Sequence, residues 1–259
     1  MNLNEIQRAS QEQFTRQSHR YGQGHILENV EDVQAALESI SLPQPAQVLD
    51  VATGAGHTGL YLASLGHEVV LADLAAPMLE RAAQTARERG LRVETRQHPA
   101  EEFPYPAETF DLVTCRVAAH HFSSPERFID ESARVLKAGG CLVLIDGSVE
   151  DGQPEAEAWL HAVEKWRDPS HHRFLTPNMW SGLCGACGLR TERSELTPFK
   201  QPDLQWYFET AATPTAGREK VLELVAQAPA SARTLFGLDR EGEKIVWWWQ
   251  RLTLVARKA

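Results

Sequence analysis

The densest chemistry in the chain lies in Val48-Leu49-Asp50-Val51-Ala52-Thr53-Gly54-Ala55-Gly56-His57-Thr58-Gly59. Glycines directly after a short apolar run let the backbone turn sharply and approach a ligand, and the helix that follows offers free N–H groups at its start. Asp73 ends the next apolar run, 19 residues beyond Gly54, where a carboxylate can accept from both hydroxyls of a ribose. Gly54-x-Gly56-x-x-Gly59 satisfies the dinucleotide fingerprint, so a nicotinamide cofactor is one reading. Against it, about 45 residues with two helices precede the first strand. Proton-transfer chemistry points to histidines, because neutral imidazole titrates near pH ~6.5. His121 and then His120 follow the fourth apolar run, and His171 and Arg173 lie in the polar segment RDPSHHR. Each has a structural alternative: Asp50 as a tie for the loop, Asp73 as a helix cap, and the histidines as satisfied or solvated rings.

These residues need strands to carry them. The runs AQVLDVA (46–52), EVVLAD (68–73), LRVETR (91–96), FDLVTCR (110–116) and CLVLID (141–146) read as five strands. Between them lie a helix from Pro77 to Arg89 and another from Ser124-Pro125 to near Gly139-Gly140, each with proline at its first position. Residues 29–41 place Val30, Val33, Ala36, Leu37 and Ile40 on one helical face, with Asn29 as the cap. Beyond residue 147 come a helix over 154–166, a helix opened by Thr176-Pro177, a strand over 189–196 and the closing strand IVWWWQRLTLVARK. This βαβ alternation predicts an α/β fold, a doubly wound and mostly parallel seven-stranded sheet with its site at the carboxyl ends of the strands. Residues 1–44 are expected as a helical cover, 45–196 and 241–259 as the core, and 197–240 as a small helical lid.

The ordered set is more specific than any one piece. Asp50-x-x-x-Gly54-x-Gly56 with Asp73 resembles motif I and the following acidic position of class I S-adenosylmethionine-dependent methyltransferases. Phe110-Asp111-Leu112-Val113 is similar to the family's fourth strand, Ala119-His120-His121-Phe122 to the segment after it, and Ala133 to Gly140 to the approach to the fifth. The likeness is close over residues 45–147 and looser beyond. Within the family it resembles the UbiE-type, YcgJ-like branch acting on small molecules.

The resemblance implies S-adenosylmethionine as cofactor, with its demethylated form as product. The backbone of Ala52, Thr53, Gly54 and Gly56 would lie along its amino-acid part. Asp50 would accept from its ammonium group or order the loop, and Asp73 would accept both ribose hydroxyls. Leu74, Met78, Pro99, Ala100, Arg116 and Tyr21 would complete the cofactor site. His121, His120 and His171 would serve as bases, while Arg173 and Trp206 would meet the acceptor. Two departures stand out. Ala52 replaces the family's first glycine, which implies an unstrained backbone there. His98-Pro99-Ala100 aligns with Gly-Asp-Ala, and Pro99 has no side-chain carboxylate to accept from the adenine amino group, so that contact is expected to be made differently.

Composition narrows the partners. The formal net charge is −9, from 26 Lys and Arg against 35 Asp and Glu, and no basic run offers a groove for phosphate backbones. No Asn-Pro-Pro-Tyr-like segment follows the fourth strand, where Arg116-Val117-Ala118-Ala119 stands instead. Both observations favour a small-molecule acceptor over nucleic acid. The polar start of the sequence and the lack of a run of ~18 apolar residues lead to the expectation of a cytoplasmic protein without a membrane span. Four cysteines are too few for a disulfide framework. Cys184-x-x-Cys187 reads as the end of a glycine-rich helix, and no metal is expected. Beside the methyltransferase stand two rivals, a non-catalytic cofactor-binding regulatory module and a nicotinamide-dependent oxidoreductase.

Overall fold

Apolar runs bounded by glycine loops become buried strands. In the computed structural model, which describes residues 2–21 and 25–259, β1 (Gln47–Val51), β2 (Glu68–Asp73), β3 (Glu94–Gln97), β4 (Phe110–Arg116) and β5 (Leu136–Ser148) are parallel. They are followed by β6 (Leu189–Gln201), a short β7 (Asp239–Glu241) and β8 (Lys244–Lys258). The sheet order is β3-β2-β1-β4-β5-β8-β6, with β8 antiparallel to both neighbours and β7 paired onto it. Seven strands thus form the main sheet of a mixed, doubly wound α/β fold. After β1 the chain winds outward to β2 and β3, then crosses back to β4. The resulting switch point lies between the carboxyl ends of β1 and β4, where open α/β sheets place their ligands.

The period-two alternation of strand side chains divides the core. Val48 and Leu49, adjacent in β1, enter different apolar clusters. On one face Leu49 joins Phe128 and Ile129 of α5 (Pro125–Val135) and Trp180 of α7 (Pro177–Ala186). On the other, Val48 joins Val33 of α2 (Glu31–Leu37), Leu60 of α3 (His57–Ser64) and Ala82 of α4 (Ala76–Glu88). A third cluster joins α6 (Pro154–Arg167) to α8 (Leu204–Ala211), α9 (Thr215–Ala226) and α10 (Ala230–Leu235) around Trp159, Tyr207, Phe236 and Trp247. The helices after β6 therefore share one apolar unit with α6. The sequence division had assigned α6 to the core.

Several boundaries differ from the sequence reading. The α5 helix stops at Val135 and β5 starts at Leu136, so Gly139-Gly140 lies within the strand instead of ending the helix. There the register with β4 shifts between Phe110 and Leu112, and a Cβ on Gly140 would stand 2.9 Å from the Lys137 carbonyl. β6 runs to Gln201, so residues 197–201 belong to the sheet. Pro198 is accommodated because β6 is an edge strand, where a missing N–H costs no ladder bond. β3 starts at Glu94, since Leu91 and Val93 pack under the sheet before pairing begins. The helix expected over 29–41 is shorter, Glu31–Leu37, and Val30 instead of Asn29 holds its N-cap position; Asn29, one residue earlier, accepts from the Glu31 N–H.

The N-terminal helix α1 (Glu5–Gln17) opens with a capping box in which Asn4 and Gln7 satisfy each other's backbone N–H. Its glutamines then reach both sides of the cleft. Gln7 donates to Glu101 at 2.8 Å and Gln11 to the Leu74 carbonyl at 3.0 Å, whereas Gln13 and Gln17 both donate to the Ala211 carbonyl of α8, at 3.0 and 2.8 Å. No helix of the described residues is long and apolar enough to cross a membrane.

Candidate active site

The glycine loop is shaped by left-handed backbone. Ala52, Gly54 and Gly56 have φ of 52°, 56° and 88°, so the expectation of an unstrained Ala52 is overturned. An alanine there costs about 1–2 kcal/mol relative to a residue at ease in this region. Beneath the loop, Asp50 is spent on order: its carboxylate accepts from Thr53 Oγ1 at 2.5 Å, Thr114 Oγ1 at 2.7 Å and the Gly59 N–H at 3.0 Å. It is buried and lies outside the lining of the cleft. Gly59 is required for packing, because a Cβ there would come within 2.1 Å of Leu71 Cδ2.

Thr53, Gly54 and Asp73 open onto one cleft over the switch point. Asp73 accepts from the Gly54 N–H through Oδ2 and from the Ala75 N–H through Oδ1, each at 2.8 Å. Burial raises its carboxyl to about 6, against the lowering effect of these two bonds. Leu74, Met78 and Ala100 line the same side. Pro99 does not line it; its carbonyl accepts from the His98 ring at Nδ1, 2.8 Å away. Glu101, the carboxylate nearest in sequence, does line the cleft while holding the Ser123 N–H at 2.7 Å and the Gln7 amide.

Across the cleft, the turn after β4 presents His120 and His121, both buried and both lining. His121 Nδ1 donates to the Ser170 carbonyl at 3.0 Å, and its ring meets Phe14 of α1 edge-on at 4.9 Å. Burial first, and the neighbouring His120 second, hold its proton affinity down. His120 faces Asp146, which ends the apolar part of β5. Burial disfavours charge on this ring, but the Asp146 carboxylate outweighs it and the net shift is upward. Sequence reasoning missed Asp146, although an acid closing an apolar strand is the signal that found Asp50 and Asp73.

Other expected residues are placed differently. His171 is buried behind His120, ring centroids 5.5 Å apart, and is absent from the lining. Arg173 points away, paired with Glu157 at 3.2 Å. Arg116 lines the cleft, but its guanidinium is taken up by Asp32 at 2.8 Å and by the carbonyls of Leu27 and Asn29, anchoring the N-terminal segment. Tyr21 and Trp206 both line the cleft. Burial pushes the Tyr21 hydroxyl up to about 12, and its ring lies 4.5 Å from that of His25. Phe14, Arg167, Asp168, Gln201 and Trp249 also line the wall; Arg167 and Asp168 lie in the RDPSHHR segment, of which only His171 and Arg173 were expected at the site, and no motif points to Phe14 or Gln201. Among the described residues no group of His, Cys, Asp and Glu is arranged to hold a metal ion.

A methyltransferase domain profile matches residues 49–144. An uncharacterized methyltransferase, YodH of Bacillus subtilis, is 33% identical over 187 residues, covering 66% of this chain and 77% of its own. The chain belongs to the methyltransferase family. The crystal structure of YcgJ from the same bacterium superposes with a TM-score of 0.82 at 27% identity, over 89% of this chain and 99% of that one. A geranyl diphosphate C-methyltransferase from Streptomyces coelicolor, solved with S-adenosyl-L-homocysteine, shares the fold at a TM-score of 0.70 and 14% identity, over 99% and 98% of the two chains. The glycine loop lies at the start of the matched domain, and the oxidoreductase reading is set aside.

Proposed function

We propose that this methyltransferase moves a methyl group from S-adenosylmethionine to a small, partly apolar acceptor held in the cleft. The residues present suit that donor. Gly54 lines the cleft and a Cβ on it would meet nothing within 4 Å, so the missing side chain leaves room at the loop. Asp73 retains lone pairs beyond its two backbone bonds, suited to ribose hydroxyls. Leu74, Met78 and Ala100 offer an apolar bed for the adenine, and Glu101 supplies a carboxylate where Pro99 cannot. When bound, the donor supplies an electrophilic sulfonium methyl. The protein's own part is to orient the acceptor, exclude water and take up a proton where one must leave. Phe14, Trp206 and Trp249 give the acceptor side its apolar character.

One observation carries the reading: the motif I loop and Asp73 share a single cleft with the His120–His121 turn and the aromatic wall. Calorimetric titration with S-adenosylmethionine and S-adenosylhomocysteine, followed by mass spectrometry of a methyl-labelled donor incubated with candidate acceptors, tests it. Binding with label transfer is expected. Absence of heat and of thermal shift at millimolar ligand overturns the reading. Binding without transfer to a broad panel favours the regulatory alternative.

A further inference from the structure

Asp146 grips His120 from two directions. Its Oδ2 accepts from the His120 backbone N–H at 2.8 Å, and its Oδ1 meets the ring at Nδ1, 2.6 Å away. Oδ1 also accepts from the Gly147 N–H at 2.7 Å. A carboxylate held by two backbone donors is fixed in orientation, and since it can only accept, the Nδ1 facing it carries the hydrogen. The neutral ring is left with its lone pair on Nε2. Among the described residues nothing hydrogen-bonds to that atom, and the residue lines the cleft. The rings of His121, Phe174 and His171 stand 4.1, 5.1 and 5.5 Å from it, centroid to centroid, and fix its plane.

The two imidazoles of the turn are not equivalent. His121 donates from Nδ1 to a neutral carbonyl; Asp168 and, more weakly, Asp146 favour a proton on it but neither hydrogen-bonds to the ring, and burial with the neighbouring His120 outweighs them. His120 has the Asp146 carboxylate at hydrogen-bond distance. The charged and titratable groups acting on the His120 and Asp146 pair come from every side: Glu164 on α6, Asp168 just past it, His171 on the next loop, Cys115 on β4 and Arg251 on β8. The carboxylates in this set favour a proton on the ring, and the neighbouring imidazoles oppose it.

We propose that His120, positioned by Asp146, is the general base of the methyl transfer, and that the acceptor is accordingly one that loses a proton as it is methylated, a phenol or enol being the case taken here. The inference rests on the methyl-transfer reading above. The acceptor's O–H proton passes to His120 Nε2 and its electron pair stays on oxygen. That pair forms the bond to the methyl carbon while the carbon–sulfur bond breaks, its pair going to sulfur. The imidazolium is neutralised by Asp146 until the proton leaves to water. A tertiary amine or thioether, which needs no base, makes no use of this pair. Asp146 is a positioning residue: it touches the ring and not the acceptor.

Imidazole proton–nitrogen correlation spectra of the full chain, with and without saturating S-adenosylhomocysteine, test the pair independently of any acceptor. His120 is expected as the Nδ1–H tautomer when neutral, titrating above ~6.5, with Asp146→Asn lowering that value by about one unit or more. A neutral ring protonated on Nε2, or a titration below free histidine in the native protein, overturns the assignment. Transfer of labelled methyl to naphthol, compared with dimethylnaphthylamine, tests the acceptor class. Naphthol alone is expected to be methylated, with His120→Gln slowing transfer by about 100-fold or more while homocysteine-product affinity stays within about twofold. Methylation of the tertiary amine, or an unslowed His120→Gln variant, overturns the proposal. Failure of the native chain to bind S-adenosylhomocysteine instead removes the methyl-transfer reading and leaves the spectra to judge the pair by themselves.

Discussion

At one end of the cleft, Thr53 and Gly54 come from the loop that leaves β1, and Asp73 from the end of the neighbouring β2. At the other, Phe14, His120, Asp168, Gln201, Trp206 and Trp249 come from six separate parts of the chain. The first end is made largely of backbone: left-handed glycines, an N–H fixed by Asp73, and Asp50 beneath tying Thr53 to Gly59. The second is made of side chains held by tertiary packing. A site of the first kind recognises one ligand through geometry that few sequences reproduce. A site of the second kind can change its guest through single side-chain replacements without disturbing the loop.

If that contrast holds, damage should stay at the end where it is made. The largest effect is expected for Trp247→Ala. This ring is buried and meets Tyr207 edge-on at 4.4 Å, so its loss should cost about 3–5 kcal/mol in unfolding free energy by denaturant titration. Affinity for S-adenosylmethionine should fall by no more than about threefold, and a parallel collapse would show the two ends to be one mechanical unit. Asp73→Ala comes next, at about 2–3 kcal/mol or roughly 30- to 150-fold in cofactor affinity by calorimetry. Trp206→Ala should leave that affinity nearly unchanged.

A smaller effect separates binding from stability by pH. Burial raises the Asp73 carboxyl to about 6, and the ionised form is the better acceptor for ribose hydroxyls. Cofactor affinity should therefore fall about tenfold between pH 7.5 and pH 5. The stability contribution runs the other way: with the folded value above the unfolded one, it is fully present below pH ~4 and lost as pH rises through about 6. Titrations at several pH values beside melts of the ligand-free protein would show opposite slopes for this group, and Asp73→Asn should abolish both. The smallest effect belongs to Gln17→Leu, which removes one of two donors to the Ala211 carbonyl. It should cost about 1 kcal/mol, read as faster proteolysis within α8.

Legibility followed the same division. β2 and β4 lie where alternation and the following loops put them, and the glycine loop was readable because left-handed backbone constrains residue type. The bulged start of β5 was not readable, because Gly139-Gly140 signals a helix end and a strand bulge equally well. Nor was the reach of β6, since residues 197–201 carry a proline and no alternation of their own and are held as strand by pairing with β8. Among the residues expected at the site, His120 and His121 line the cleft, where their place after a strand puts them. The placement of Arg173 and His171 depended on which face of a loop turned inward, and local sequence carries no record of that. Asp146 carried a usable signal at the end of an apolar run, but without glycines after it the acid had no distinguishing context.

The four glutamines of α1 bear on timing. Two hold the rim of the core and two hold α8, and none of the four bonds is a pairing of opposite charges that salt could screen away. Because they share one short helix, the four bonds are expected to release together, which would give this flank of the cleft a shut position and a lifted one. Residence of whatever lies beneath is then measured by how often a helix detaches. Raising ionic strength should hardly shorten it, whereas urea, which competes for amide bonds, should do so well below the concentration that unfolds the sheet.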